Sequence, residues 1–142
     1  MPVRTASAVW EGNLQQGKGT MKMSSGAYEG KYSFASRFEE GVGTNPEELI
    51  AAAHAGCFSM AFSNGLAKAG FTPTRVSTTA KVHLNKVETA FKITTVELET
   101  EGVVPGIDES KFKELAETAK KNCPVSQLLT GAEITLKAKL VK

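Results

Sequence analysis

The N-terminal third of the chain alternates polar and apolar positions in short runs. Ala8-Val9-Trp10-Glu11 leads into Gly12-Asn13, and Gly17-Lys18-Gly19 opens Thr20-Met21-Lys22-Met23. Tyr32, Phe34 and Phe38 interleave with Ser33, Ala35 and Arg37, which predicts a further half-buried strand. A loop over 39–43 follows and is expected to be mobile. A helix start then stands out: Asn45 can cap, Pro46 suits the first helical position, and Glu48 lies three after Asn45 as in a capping box. This helix should run to about Lys68, with Gly70 past its end. Its middle, LIAAAHAGCFSMAF, is apolar all round and predicts a helix inside the protein.

The remainder alternates again. Val76, Thr78, Ala80, Val82 and Leu84 read as a strand and 85–88 as a turn. Phe91 and Ile93 have one parity, Val96 and Leu98 the other, so a bulge is expected near Thr94-Thr95. Val104-Pro105-Gly106 ends the strand. Asp108 caps a second helix whose Phe112, Leu115, Ala116, Ala119 and Cys123 share a stripe. Pro124 stops that helix and can open a short turn through Ser126. Ile134, Leu136, Ala138 and Leu140 close with a strand. Strands grouped around two helices give an α+β fold in a single domain over residues 1–142.

Composition narrows the function. The 142 residues are 41% hydrophobic and 23% charged, as in ordinary soluble chains. Seventeen Lys and Arg against fifteen Asp and Glu give +2 with no basic run, which argues against nucleic acid and anionic membranes as partners. No secretory pattern opens the sequence, and the apolar run over 49–62 is too short to span a bilayer, so the expected location is the cytoplasm. Thiols stay reduced there.

Two cysteines carry the candidate chemistry. Cys57 lies mid-helix, where a cysteine is often a small core hydrophobe. Cys123 ends one helix and can cap the next, where the positive helix end favours a thiolate; Lys120 and Lys121 add charge nearby. Both sit on core-facing stripes and so can meet. A permanent bridge would stabilise the chain by about 4 kcal/mol, which a core of this size does not need; a transient redox pair suits the compartment better. His54, three before Cys57, reads as a hydrogen-bonded core histidine and His83 as an exposed strand residue. A thiol–imidazole pair or a zinc site built from these residues is the weaker reading. Taken alone, Glu47 is a first-turn acid and Arg37 a solvated strand residue.

The segments GTNPEELIAAAHAGCFSMAF and VPGIDESKFKELAETAKKNCPVSQLL, with AVWEGNLQQGKGT, YSFASRFEE and AEITLKAKL, resemble the OsmC/Ohr family, which comprises osmotically inducible protein C and the organic hydroperoxide resistance proteins. The OsmC branch is the nearer match. The resemblance covers essentially the whole chain. It implies an α+β intertwined homodimer with thiol-dependent peroxidase activity on hydroperoxides, organic ones preferentially. Cys57 matches the peroxidatic cysteine, Cys123 the resolving one, Glu47 the active-site glutamate and Arg37 the active-site arginine. No metal or bound cofactor is implied, and a dithiol such as a dihydrolipoyl protein is the implied reductant.

The chemistry fits these residue types. At the ordinary thiol pKa about 3% is ionised at pH 7, and a three-unit drop gains about 30-fold for about 4 kcal/mol of differential stabilisation. Burial alone opposes this, so a cation and donors are needed, and a planar, permanently charged arginine supplies both. Glu47 precedes Cys57 by ten positions on one helix, about 15 Å by helical rise. Either Arg37 bridges that gap or Glu47 serves the partner's cysteine across a two-fold interface, which is the expected arrangement. Two other readings remain at this level: a small dimeric module that binds a lipophilic ligand and has structural cysteines, and a general thiol-disulfide oxidoreductase. The missing Cys-x-x-Cys opposes the second.

Overall fold

The computed structural model describes residues 1–142, which divide into two compact units, Met1–Leu49 and Ile50–Lys142. In the first unit, strands β1 (Ala6–Glu11), β2 (Lys18–Met23) and β3 (Glu29–Tyr32) form an antiparallel sheet in chain order. Trp10 and Tyr32 pack their rings 5.3 Å apart over Gly19, where any Cβ would lie within 2.5 Å of the tyrosine ring.

The expected strand through Phe34 and Phe38 is instead a short helix, α1 (Phe34–Phe38). Ser33 caps it: its Oγ accepts from Ser36 N (3.1 Å), while Ser36 Oγ accepts from Ser33 N (2.8 Å). Phe34 and Phe38, four apart, stack at 4.9 Å, a spacing that serves a helix as well as it mimics alternation. The loop over 39–43 then turns through Gly43 at φ +126°, a conformation that favours glycine.

Helix α2 (Pro46–Lys68) starts and stops as expected. Asn45 Oδ1 accepts from Glu48 N (2.7 Å), but the Glu48 carboxylate accepts from Thr44 Oγ1 (2.7 Å), so the box closes one residue early. The helix is not enclosed all round within the chain. His54, Phe58, Phe62 and Leu66 are fully buried, whereas Ala52, Ala53, Gly56 and Met60 are exposed. Its length and composition would suit a membrane span, yet one whole face packs into the core of the second unit.

That unit holds β4 (Arg75–Val87), β5 (Ala90–Val103), α3 (Glu109–Asn122), α4 (Pro124–Leu128) and β6 (Glu133–Leu140). β4 and β5 pair antiparallel, and β6 joins β5 in parallel. The hairpin runs further than the sequence predicts: β4 continues to Val87, and the turn falls at Glu88, with φ +59°. The bulge lies where it was expected, since His83 pairs with Thr95 and Leu84 with Ile93, leaving Thr94 over. Asp108 Oδ1 caps α3 by accepting from Lys111 N (2.7 Å). Phe58, Phe62, Leu66, Val96, Leu98, Phe112, Ala116 and Cys123 form the core. A chain of hydroxyls joins helix to sheet: Ser59 Oγ donates to Thr78 Oγ1 (2.7 Å), which lies 2.9 Å from the buried Thr100 Oγ1.

Phe112 meets Phe62 edge-on at 5.0 Å and lies against Gly102, where a Cβ would come within 2.6 Å of its ring. Urea unfolding should show Phe112→Ala losing about 3–5 kcal/mol through the cavity left behind. Gly102→Ala should lose about 1–3 kcal/mol, because the fully buried ring has no room to retreat.

Candidate active site

The four residues singled out in the sequence form two pairs, one in each unit. In the first unit α1 carries Arg37 in its last turn and α2 carries Glu47 in its first. The segments are tied together: Ser36 Oγ donates to Thr44 O (2.7 Å), Asn45 Nδ2 donates to Ser36 O (3.0 Å), and Thr44 N donates to Lys31 O (2.8 Å). This frame holds the Arg37 guanidinium on the Glu47 carboxylate. Nη2 donates to Oε1 at 2.8 Å, and Nε lies 3.2 Å and 3.3 Å from the two oxygens. The carboxylate side chain is 9% exposed and the arginine 34%. An ion pair of this kind costs more to break than it gives by forming, because a lone partner is left desolvated. Arg37 also lies over the Phe38 ring at 5.2 Å. Arg37 is therefore a helical, half-buried, paired residue and not a solvated strand residue. Beside it opens a cleft of about 370 Å³ lined by Trp10, Leu14, Tyr32, Phe34, Arg37 and Phe38. Sequence reasoning missed this cleft, which assembles once 34–38 coils.

In the second unit, Cys57 on α2 and Cys123 between α3 and α4 are both free thiols, the first half-buried and the second fully buried. Their side chains share a hydrogen bond, and the Val125 backbone N–H donates to Cys57 Sγ. Burial pushes the Cys57 thiol up from its ordinary pKa, Cys123 adds to the rise, and the Val125 amide pulls the other way. Cys123 is the backbone N-cap of α4, with Pro124 in the first turn. The meeting of the two thiols was legible from the core stripes. The amide donor was not, because it is a backbone group delivered by a turn.

His54 is a buried, hydrogen-bonded core histidine, with Nε2 2.7 Å from Ser126 Oγ. His83 lies exposed beside Glu97, at 2.5 Å. The two imidazoles are thus committed to separate partners, and no cluster of three or more metal-ligating side chains forms.

An α+β chain with two facing thiols, one mid-helix and one before a proline turn, defines the class. The family model described as OsmC-like protein matches residues 39–139, and the chain belongs to this family. It is 54% identical over 134 residues to Peroxiredoxin OsmC of Escherichia coli strain K12, covering 94% of this chain and 93% of that one. It is 36% identical over 98 residues to an organic hydroperoxide resistance protein of Xanthomonas axonopodis pv. citri, covering 68% and 67%. The organic hydroperoxide resistance protein OhrB of Bacillus subtilis superimposes with a TM-score of 0.75 at 27% identity over 95% of this chain and 98% of that one.

Burial depresses the pKa of His54. The unfolded chain binds a proton there below about pH 6.5, whereas the folded chain resists. The contribution is thus complete above about pH 6.5 and is lost as pH falls, by up to about 1.4 kcal/mol per pH unit, until the folded imidazole itself titrates. Urea unfolding at a series of pH values should show a shallower acid loss in His54→Gln than in the native chain. Equal slopes would mean that His54 titrates alike in both states.

Proposed function

We propose that this chain is a cysteine-based peroxidase that reduces hydroperoxides, organic ones preferentially, in the response to oxidative or osmotic stress. The observation that carries this reading is the contact between two free thiols, one of which receives a backbone N–H. Cys57 is the attacking sulfur. Its thiolate takes the distal oxygen of the peroxide, the O–O bond breaks, and the alkoxide leaves and is protonated to the alcohol. Cys57 is then a sulfenic acid. The Cys123 thiol attacks that sulfur, expels water and forms the disulfide. An external dithiol, of dihydrolipoyl type, reduces the bridge by exchange and is itself oxidised to a disulfide.

The raised pKa of Cys57 makes a cation necessary. Arg37 is that cation, oriented by Glu47, and the two-oxygen grip on the guanidinium supports this role. The aromatic cleft beside Arg37 suits the hydrocarbon part of an organic peroxide. The protein works as a homodimer in the cytoplasm, with the two units acting as one domain. The face of α2 made by Ala52, Ala53, Gly56 and Met60 is exposed in the single chain; its two alanines and glycine allow close helix approach, Met60 adds exposed apolar surface, and it is the surface we assign to the partner subunit.

The rival reading, a lipophilic-ligand module with structural thiols, consumes no peroxide. With cumene hydroperoxide and a dithiol, the native chain should turn over. Cys57→Ser should abolish turnover, and Cys123→Ser should consume about one peroxide per chain and stop. Retained reduction in Cys57→Ser would reverse the roles.

Arg37→Lys keeps the charge but loses the fork. Its first-turnover rate at pH 7 should fall about tenfold or more, and its pH–rate profile should move to higher pH. An unmoved profile would assign the activating charge elsewhere.

A further inference from the structure

His54 is sealed in the core, and none of the steps above uses it. Its Nε2 lies 2.7 Å from the Oγ of Ser126, itself buried, while Nδ1 has no hydrogen-bond partner. A bare ring nitrogen is cheaper to bury than an unpaired N–H, which puts the proton on Nε2 and makes Ser126 the acceptor. The bond joins the same two segments that carry the thiols. His54 lies three residues before Cys57 and so shares its face of α2. Ser126 lies three residues after Cys123, and its neighbour Val125 supplies the amide donor to Cys57.

Helix α4 is a single turn of five residues, and its N-cap side chain makes no capping bond. A helix of that length does not hold its own conformation, so its place depends on tethers. We propose that the His54–Ser126 hydrogen bond latches the 123–126 turn to α2 and thereby positions Cys123 for attack on the oxidised Cys57. The inference rests on the thiol reading above.

The latch bears on a competition. Cys57 sulfenic acid and the Cys123 thiol condense to a disulfide and water. A second hydroperoxide instead oxidises the sulfenic acid to sulfinic acid and is reduced to the alcohol. The first path needs the turn held in place, and the second does not. His54 and Ser126 touch neither peroxide nor reacting sulfur in this scheme; they are positioning residues.

The test treats the full reduced chain with cumene hydroperoxide over a range of excess and counts disulfide against sulfinic acid by mass spectrometry. Ser126→Ala and His54→Phe should raise the sulfinic share about tenfold, the size expected for losing one buried hydrogen bond. His54→Gln, which keeps an N–H donor on a side chain of similar reach, should stay within about threefold of the native chain. The double variant should be no worse than either single one, since the two residues act as one bond. Loss of stability alone leaves the partition within folded molecules unchanged, so it does not imitate this result. Ser126→Ala removes a single oxygen and decides the matter if His54→Phe does not fold. An unchanged partition in folded Ser126→Ala, beside a native chain that forms the Cys57–Cys123 disulfide, would overturn the latch alone. A native chain that forms no such disulfide would overturn the thiol reading and the latch with it.

Discussion

Burying a thiol makes its charged form costly, and Cys57 is held under that constraint. Desolvation raises its pKa, and a neighbouring thiol raises it further. A backbone amide opposes both, but one neutral donor supplies only part of the stabilisation that ionisation at neutral pH requires. On the proposed function, a permanent cation is therefore needed as well. The first unit spends its capping box and the Ser36, Thr44 and Asn45 hydrogen bonds on holding one arginine against one buried carboxylate.

Much of this was legible in the sequence. The long helix announced itself through Asn45, Pro46 and Glu48, the second through Asp108, and the parity slip between Ile93 and Val96 located the bulge. The facing of the two thiols followed from stripes on those helices. Residues 33–38 were misread because Tyr32 and Phe34 alternate like a strand, while the signals for a helix were a serine pair three apart and a phenylalanine pair four apart. Serine at the third helical position makes a weaker pattern than the glutamate of the usual box, and five residues give periodicity no room to declare itself. That misreading hid the cleft and placed Arg37 in the wrong kind of element.

Other parts were not legible for a different reason. His54 and Ser126 are 72 residues apart, and nothing in either local pattern names the other. The same is true of Ser59, Thr78 and Thr100, whose hydroxyls fix the height of α2 on its sheet. Such contacts depend on which turns of different elements come level, a property of tertiary packing. The apolar surround of the long helix was also over-read: the sequence is apolar on every side, yet Ala52, Ala53, Gly56 and Met60 stay exposed in the single chain.

The bulge has a bearing on how the hairpin tolerates change. In a regular strand, losing one residue exchanges inside for outside along everything beyond it. Val96 and Ile93 lie three apart yet face the same way, because Thr94 is surplus to the ladder and hangs on Asn85 by a 2.7 Å hydrogen bond. Dropping Thr94 would leave those two residues at the ordinary spacing of two, each still facing inward. The spare residue thus acts as an expansion joint, a position where this strand can lose a residue while its buried side stays buried.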